Sequence, residues 1–450
     1  MTSRIKSLVA AGAFASLLVH TAVVRAEVSE AEAAKLKTEL TATGAEKAAN
    51  AAGTIPAWTG GLSKPGVPSG ELPMDQFANE KPLYQITAAN MQEHAGVLTD
   101  GVKALLQKFP TYRIDVYPSH RTFAAPQFFY DNSVKNATRA KLTEGGNSLT
   151  GAYGGVPFPI PKSGVEVYWN HTLRYLPKTL QYAVKNFTGT ADGKVIMTVS
   201  AIDTKQSPYL YPDQSPETWS GEFGFGRLQM TGPAFKVGEA LVIRDNVDPG
   251  SSRQAWQYLV GQRRVRRAPT VAYDTPDFVA SGANYFDEVF GFWGAPDRYD
   301  WKLVGKKELL VPYNCNKFIN TPVDKALLPG HPNPDALRWE LHRVWEVEAT
   351  LAPGKRHAVP KRRFYFDEDS WSVVLMDGYD AEGKLWRTSQ VLPINIPEVP
   401  ANFYNSTFVF NLQAGTYSGI ELMNEGWLKV IDRRPDSFFT GDAVAADGIR

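Results

Sequence analysis

The stretch Arg338-Trp339-Glu340-Leu341-His342-Arg343-Val344-Trp345-Glu346-Val347-Glu348-Ala349-Thr350 decides the fold class. Trp339, Leu341, Trp345, Val347 and Ala349 recur at alternate positions, with Arg338, Glu340, His342, Glu346, Glu348 and Thr350 between them. Only Arg343 and Val344 interrupt the pattern. Successive side chains of a strand point to opposite faces, so this spacing predicts one long strand with a dry face and a wet one.

The same period of two begins at about residue 164 and is clear in residues 195–201. Further strands are expected at 237–244, 255–267, 301–311, 361–366, 371–377 and 385–392. Asp367-Glu368-Asp369 and Asp380 to Gly383 read as turns, and consecutive strands with short turns make an antiparallel meander. Gly221-Glu222-Phe223-Gly224-Phe225-Gly226 also reads as a turn between strands, since it lacks the spacing and the following helix of a nucleotide loop.

One apolar sheet face needs a cover. The N-terminal part supplies helices for it. Residues 27–50 open with Ser29 and Glu32 at capping-box spacing. After a Pro- and Gly-rich connector at 53–82, Thr87 precedes the stripe Met91, Ala95, Leu98, Val102, Leu105 and Phe109, which Pro110 stops. A third helix is expected at 131–144, capped by Asp131 and ended by Gly145-Gly146. The chain is thus mainly β with some helix (α+β). Its expected parts are an export signal at 1–26, a helical segment with connector at 27–110, and a sheet body with short helices at 111–450.

The signal reading rests on Arg4 and Lys6, the uncharged run from Leu8 to Val19, and Val24-Arg25-Ala26 before Glu27. A run that short is a cleavable signal rather than an anchor. It places the mature protein in the periplasm, or outside a cell with one membrane, with no stable membrane anchor. The formal net charge is +1, and loss of Arg4, Lys6 and Arg25 turns it slightly negative. Such a chain has no electrostatic footprint for nucleic acid. With Cys315 as the sole cysteine, no intramolecular disulfide forms and stability must come from core burial.

Chemistry is sparse. The histidines lack zinc-helix spacing, and no G-x-S-x-G elbow or P-loop occurs. Neither a catalytic residue, a metal site nor a cofactor is assigned. Asp367-Glu368-Asp369 is expected to stay solvated in its turn, unlike glycosidase carboxyls that face each other across about 5 to 9 Å. Arg263-Arg264-Val265-Arg266-Arg267 is the densest basic feature. One reading is a solvated edge strand whose charges prevent unwanted pairing. The other is Arg263 and Arg267 at a cavity mouth, binding a carboxylate or phosphate head group.

Three segments, Tyr153 to Pro161, Glu166 to His171 and Gly261 to Pro269, resemble the domain-of-unknown-function 1329 family of periplasmic proteins. That family is similar to carriers of outer-membrane lipoproteins, with a LolA-like curved sheet wrapped as an incomplete barrel. The resemblance implies a half-barrel covered by the N-terminal helices, and a role in carrying lipids or other hydrophobic molecules. It also implies partners, an inner-membrane efflux-type permease and an outer-membrane protein. This chain is about twice the length of a typical lipoprotein carrier, so its cargo need not be a lipoprotein. A carrier makes physical sense, because each methylene exposed to water costs about 0.8 kcal/mol. Trp339, Leu341, Trp345 and Val347 are the candidates to line such a hollow, without catalysis. Two alternatives stand beside it: an envelope carbohydrate-binding protein, and a hydrolase whose site is assembled from distant residues.

Overall fold

The computed structural model describes residues 28–64, 70–177, 179–251, 253–268 and 271–448. The expected signal at 1–26 lies outside them. Six strands form a first antiparallel meander: β1 (Thr179–Gly189), β2 (Val195–Gln206), β3 (Glu222–Gly232), β4 (Ala240–Asn246), β5 (Arg253–Leu259) and β6 (Arg264–Arg267). After β7 (Tyr299–Pro312) comes a second meander: β8 (Trp339–Leu351), β9 (Lys361–Asp367), β10 (Val373–Tyr379), β11 (Leu385–Ile396), β12 (Ala401–Asn411) and β13 (Thr416–Leu422). β13 pairs with β1, and this joins the two meanders into one open sheet of sixteen strands among the described residues. β7 pairs with β8 along its whole length, from Tyr299 opposite Leu351 to Pro312 opposite Trp339. Bulges at Asn186/Phe187, Ser200/Ala201, Leu392/Pro393 and elsewhere bend the strands.

Among the described residues, four helices of eight residues or more accompany the sheet: α1 (Asp100–Lys108), α2 (Gln127–Arg139), α3 (Gly164–Thr172) and α4 (Gly441–Gly448). α1 buries Val102, Leu105 and Leu106 in the largest apolar cluster, against β10 and β11. No helix among the described residues is long and apolar enough to cross a membrane.

Several expectations are corrected. The helix at 27–50 stops early: the capping box of Ser29 and Glu32 forms, but only Glu30–Ala33 and a tighter turn to Lys37 follow. Thr41 then accepts a bond from the Ala45 N–H, and such hydroxyls draw the backbone into turns. The stripe at 91–109 is broken at Leu98, which is extended, and Thr99 rather than Thr87 caps α1. Side-chain period records a face, and a break that preserves the face leaves no trace in it. The third helix runs earlier than expected, and Lys141–Thr143 forms a hairpin with Ser148–Thr150. Residues 164–172, expected to begin the strands, are helical, with Glu166 accepting the Ser163 N–H. The expected strand at 255–267 is two strands, split by a turn in which Arg263 is left-handed. The 221–226 stretch is no turn: it opens β3.

The first half of the wet face of β8 is also buried. Glu340, His342 and Glu346 are all at most 2% exposed. Glu340 accepts from the Arg338 guanidinium, His342 Nε2, Asn314 Nδ2 and the His120 N–H. Each partner except Arg338 and His342 comes from elsewhere in the chain.

Candidate functional site

A hollow lies on the first meander, under the largely irregular segment 271–298, beside a wider and more polar cleft of about 620 Å³ lined by Leu149, Trp219 and Val247. Apart from two short 3-10 turns and one β-bridge the segment is irregular, and irregular crossings that long are uncommon in a compact fold. Buried ion pairs anchor this segment to the second meander. Arg362 of β9 donates to both Asp287 oxygens at 2.8 and 3.1 Å, and His357 Nε2 lies 2.8 Å from the same carboxylate. Arg387 of β11 holds both oxygens of Glu288. Burial alone would raise the Asp287 carboxyl; Arg362 and His357 outweigh it and hold it well below the usual carboxylate range. These pairs fix where the aromatic end of the segment, Phe290 to Trp293, must sit.

Beneath that end is a cavity of about 110 Å³, partly open to solvent. A second chamber of about 40 Å³ lies beside it, and the two share Lys205 and Trp293 as a common wall. The first is walled by Tyr168, Trp169 and Leu173 of and after α3, by Phe223 and Phe225 of β3, and by Phe292. The second is walled by Val184, Val199, Leu228, Leu241 and Ile243 of the sheet and by Val279 and Phe286 of the segment. For scale, an apolar hole of about 150 Å³ takes up benzene. The hollow as it stands therefore fits a ring or a short alkyl segment.

Gly224 and Gly226 face this space from β3. A Cβ on Gly226 would meet only the Trp293 ring, at 4.0 Å, and one on Gly224 only Asp245, at 3.8 Å. Glycine inside a strand weakens it, and such positions mark a bend or a close approach by something else.

Trp293 is held in place. Its indole N–H donates to Asp245 at 2.8 Å, and the Arg253 guanidinium lies 4.2 Å from its ring centre. Arg253 in turn is paired with Asp245 and donates to the Val271 and Trp293 carbonyls. Lys205 sits between the chambers, 2.9 Å from Asp203 and 4.3 Å from the Phe290 ring centre. Burial opposes its charge, but Asp203 and Glu421 offset this and raise its pKa above the ordinary lysine range. It stays an ammonium. Asp277, in the second chamber, is pushed up to about 6 by burial. His171 in the first wall accepts the Val373 N–H at Nδ1 and donates from Nε2 to the Phe292 carbonyl. Burial drives its pKa well below the ordinary value. With both nitrogens committed to the main chain, this ring is a strut rather than a base.

The residues expected to line a hollow lie elsewhere. Trp339 is fully buried and, with Leu341 packed alongside, belongs to the largest cluster. Trp345 and Val347 belong to the second, where Trp345 stacks on Trp371 at 6.0 Å. Arg263 and Arg267 are exposed on the edge of the sheet and line neither chamber. The hollow is instead assembled from ten separated parts of the chain, of which only Glu166 to His171 carried a family motif. The strand glycines and the aromatic segment were the readable signs of it.

Asp367-Glu368-Asp369 is buried rather than solvated, at no more than 2% exposure. Arg121 binds Asp369 through two bonds of 2.9 and 2.6 Å, and Lys306 and Arg343 hold Glu368. Ligand atoms of His342, Asp367 and Asp369 all lie within 4.8 Å of one another, a grouping that suits a metal ion. Both oxygens of Asp369 are already taken by Arg121, and one of Asp367 accepts from Ser370, so protein cations and donors fill the cation's place.

Comparison with known proteins adds a family. The model of a family described as "Protein of unknown function (DUF1329)" matches residues 85–445. An uncharacterized protein of Pseudomonas aeruginosa is 40% identical over 426 residues, 93% of each chain. Among solved structures, a family protein from Desulfovibrio piger is similar at a TM-score of 0.44 and 13% identity, over 62% of this chain and 97% of that one. A putative outer membrane lipoprotein-sorting protein domain from Vibrio parahaemolyticus is similar at 0.44 and 12%, over 63% and 98%.

Proposed function

The chain belongs to the DUF1329 family, and from that premise we propose that it is an exported periplasmic protein that binds and carries a hydrophobic molecule, without turning it over. The observation that carries this reading is the hollow under segment 271–298, walled by aromatic rings on one side and left open by two strand glycines on the other. The small volume points to a cargo held by part of its length. The signal-like residues 1–26 support export, and transfer between an inner-membrane permease and an outer-membrane protein belongs to the same reading.

Native mass spectrometry of the gently purified mature chain tests it. The expected result is a co-purifying fatty acid, phospholipid, sterol or similar apolar molecule that leaves on unfolding. Repeated absence of any such molecule, with sugar binding or ester hydrolysis present, would overturn it.

A further inference from the structure

The turns at one end of the first meander carry side chains that the carrier reading does not use. Residues 190–194, 233–239 and 260–263 connect β1 to β2, β3 to β4 and β5 to β6 at that end. The second and third turns touch, since a Cβ on Gly238 would meet Val260 Cγ2 at 3.2 Å. Their apolar side chains point into water. Phe235 is 79% exposed, and Val237 and Val260 are exposed beside it. The bulge opposite Asn186 and Phe187 adds Ile196 and Met197, because it breaks the alternation that buries Val199 and Ala201.

Four exposed guanidinium groups, Arg263, Arg264, Arg266 and Arg267, flank this apolar rim. Their contacts are with neutral groups: Arg264 donates to the Gln262 amide, Arg266 to the Gln257 amide, and Arg267 lies 5.9 Å from the Trp256 ring centre. At the first turn Asp192 is already paired with Lys194 at 2.7 Å. The rim is thus apolar at its tips and cationic beside them, with its positive charge unspent.

That combination matches a lipid surface: apolar tips enter the acyl boundary while guanidinium groups meet phosphates. We propose that this rim docks the protein on a bilayer bearing anionic headgroups. Val199, Leu228 and Leu241 of the second chamber lie within a few residues of the rim, so docking sets that end of the hollow against the membrane. The inference stands on the rim alone and does not depend on the cargo.

The test uses the mature full-length chain and two vesicle types, phosphatidylethanolamine with phosphatidylglycerol, and phosphatidylcholine alone. Co-sedimentation should occur with the anionic vesicles and fall when salt is raised to about 0.5 M. Arg264→Gln with Arg266→Gln should weaken it by about fivefold per guanidinium removed. Phe235→Ser with Val260→Ser should weaken it at least as much, with melting unchanged because both side chains are exposed. Cys315 is fully buried, so Phe235→Cys accepts a single environment-sensitive dye, whose emission should shift blue on anionic vesicles. The same dye at Asp248→Cys, in a turn at the opposite end, should not shift. Equal binding to both vesicle types, no binding to either, or an unshifted dye at position 235 would overturn the proposal.

Discussion

The two meanders share a topology and differ in what fills them. The second is heavily buried: Trp339, Val347, Phe364, Trp371, Val373, Leu375 and Met376 are all inaccessible and line neither chamber of the hollow. Of its buried acids, Glu340, Glu368 and Asp369 meet arginines at bonding distance. The first meander keeps space, and its cover is a largely irregular segment, pinned near its middle by Arg362 and Arg387 of the second. One half of the sheet is therefore an anchor and the other a wall. An antiparallel sheet closes on itself wherever its cover can interdigitate; it stays hollow where glycines stand opposite rings that are held from behind.

The anchor should be the costlier half to damage. Arg362→Ala leaves Asp287 buried with His357 as its remaining side-chain partner, and loss of a buried partner costs about 3–5 kcal/mol. Denaturant unfolding should show a loss of that size, and cargo binding should fall with it if the segment is truly pinned there. A matched pair sharpens the contrast. Leu375→Ala, in the heavily buried half, should cost toward the upper end of about 2–5 kcal/mol, and Leu228→Ala, already beside a void, at least about 1 kcal/mol less. Equal costs would mean that the two halves are packed alike.

Asp277 in the wall, like Asp377 in the anchor, carries a pH signature, since burial pushes both up to about 6. In the folded chain Asp277 keeps its proton up to about pH 6, against an ordinary value of 3.8. Its proton uptake on folding favours the native state below pH 4, and that contribution is lost as the pH rises through 6. Measured against the wild type, Asp277→Asn should therefore gain about 2–3 kcal/mol in relative stability between pH 4 and pH 7. A flat difference would show that the chamber is wet. The smallest effect is expected at the edge: Arg263→Ala or Arg267→Ala should change stability by less than about 0.5 kcal/mol.

The long strand at 339–351 was legible because alternation survives whatever the partners are. The burial of its polar face was not, because Glu340 is satisfied by His120 and Asn314, far away in sequence, and no local pattern reports distant partners. The same holds for Asp367-Glu368-Asp369, which looks like a solvated turn until Arg121 and Lys306 arrive. The hollow was hidden for a related reason. Trp339 and Trp345 carry the strongest apolar signal, and strong apolar signals mark what packs, whereas a cavity is marked by what is missing. Gly224 and Gly226 inside an aromatic strand were its local trace.

Cargo affinity in a filled hollow tests the account most directly. Gly226→Leu puts a side chain into the second chamber, facing Trp293. Titration with a fluorescent fatty acid, wild type against variant, should show affinity falling at least tenfold while the melting temperature holds. Unchanged affinity, or no binding to the wild type, would contradict the claim that this space is where the protein holds its cargo.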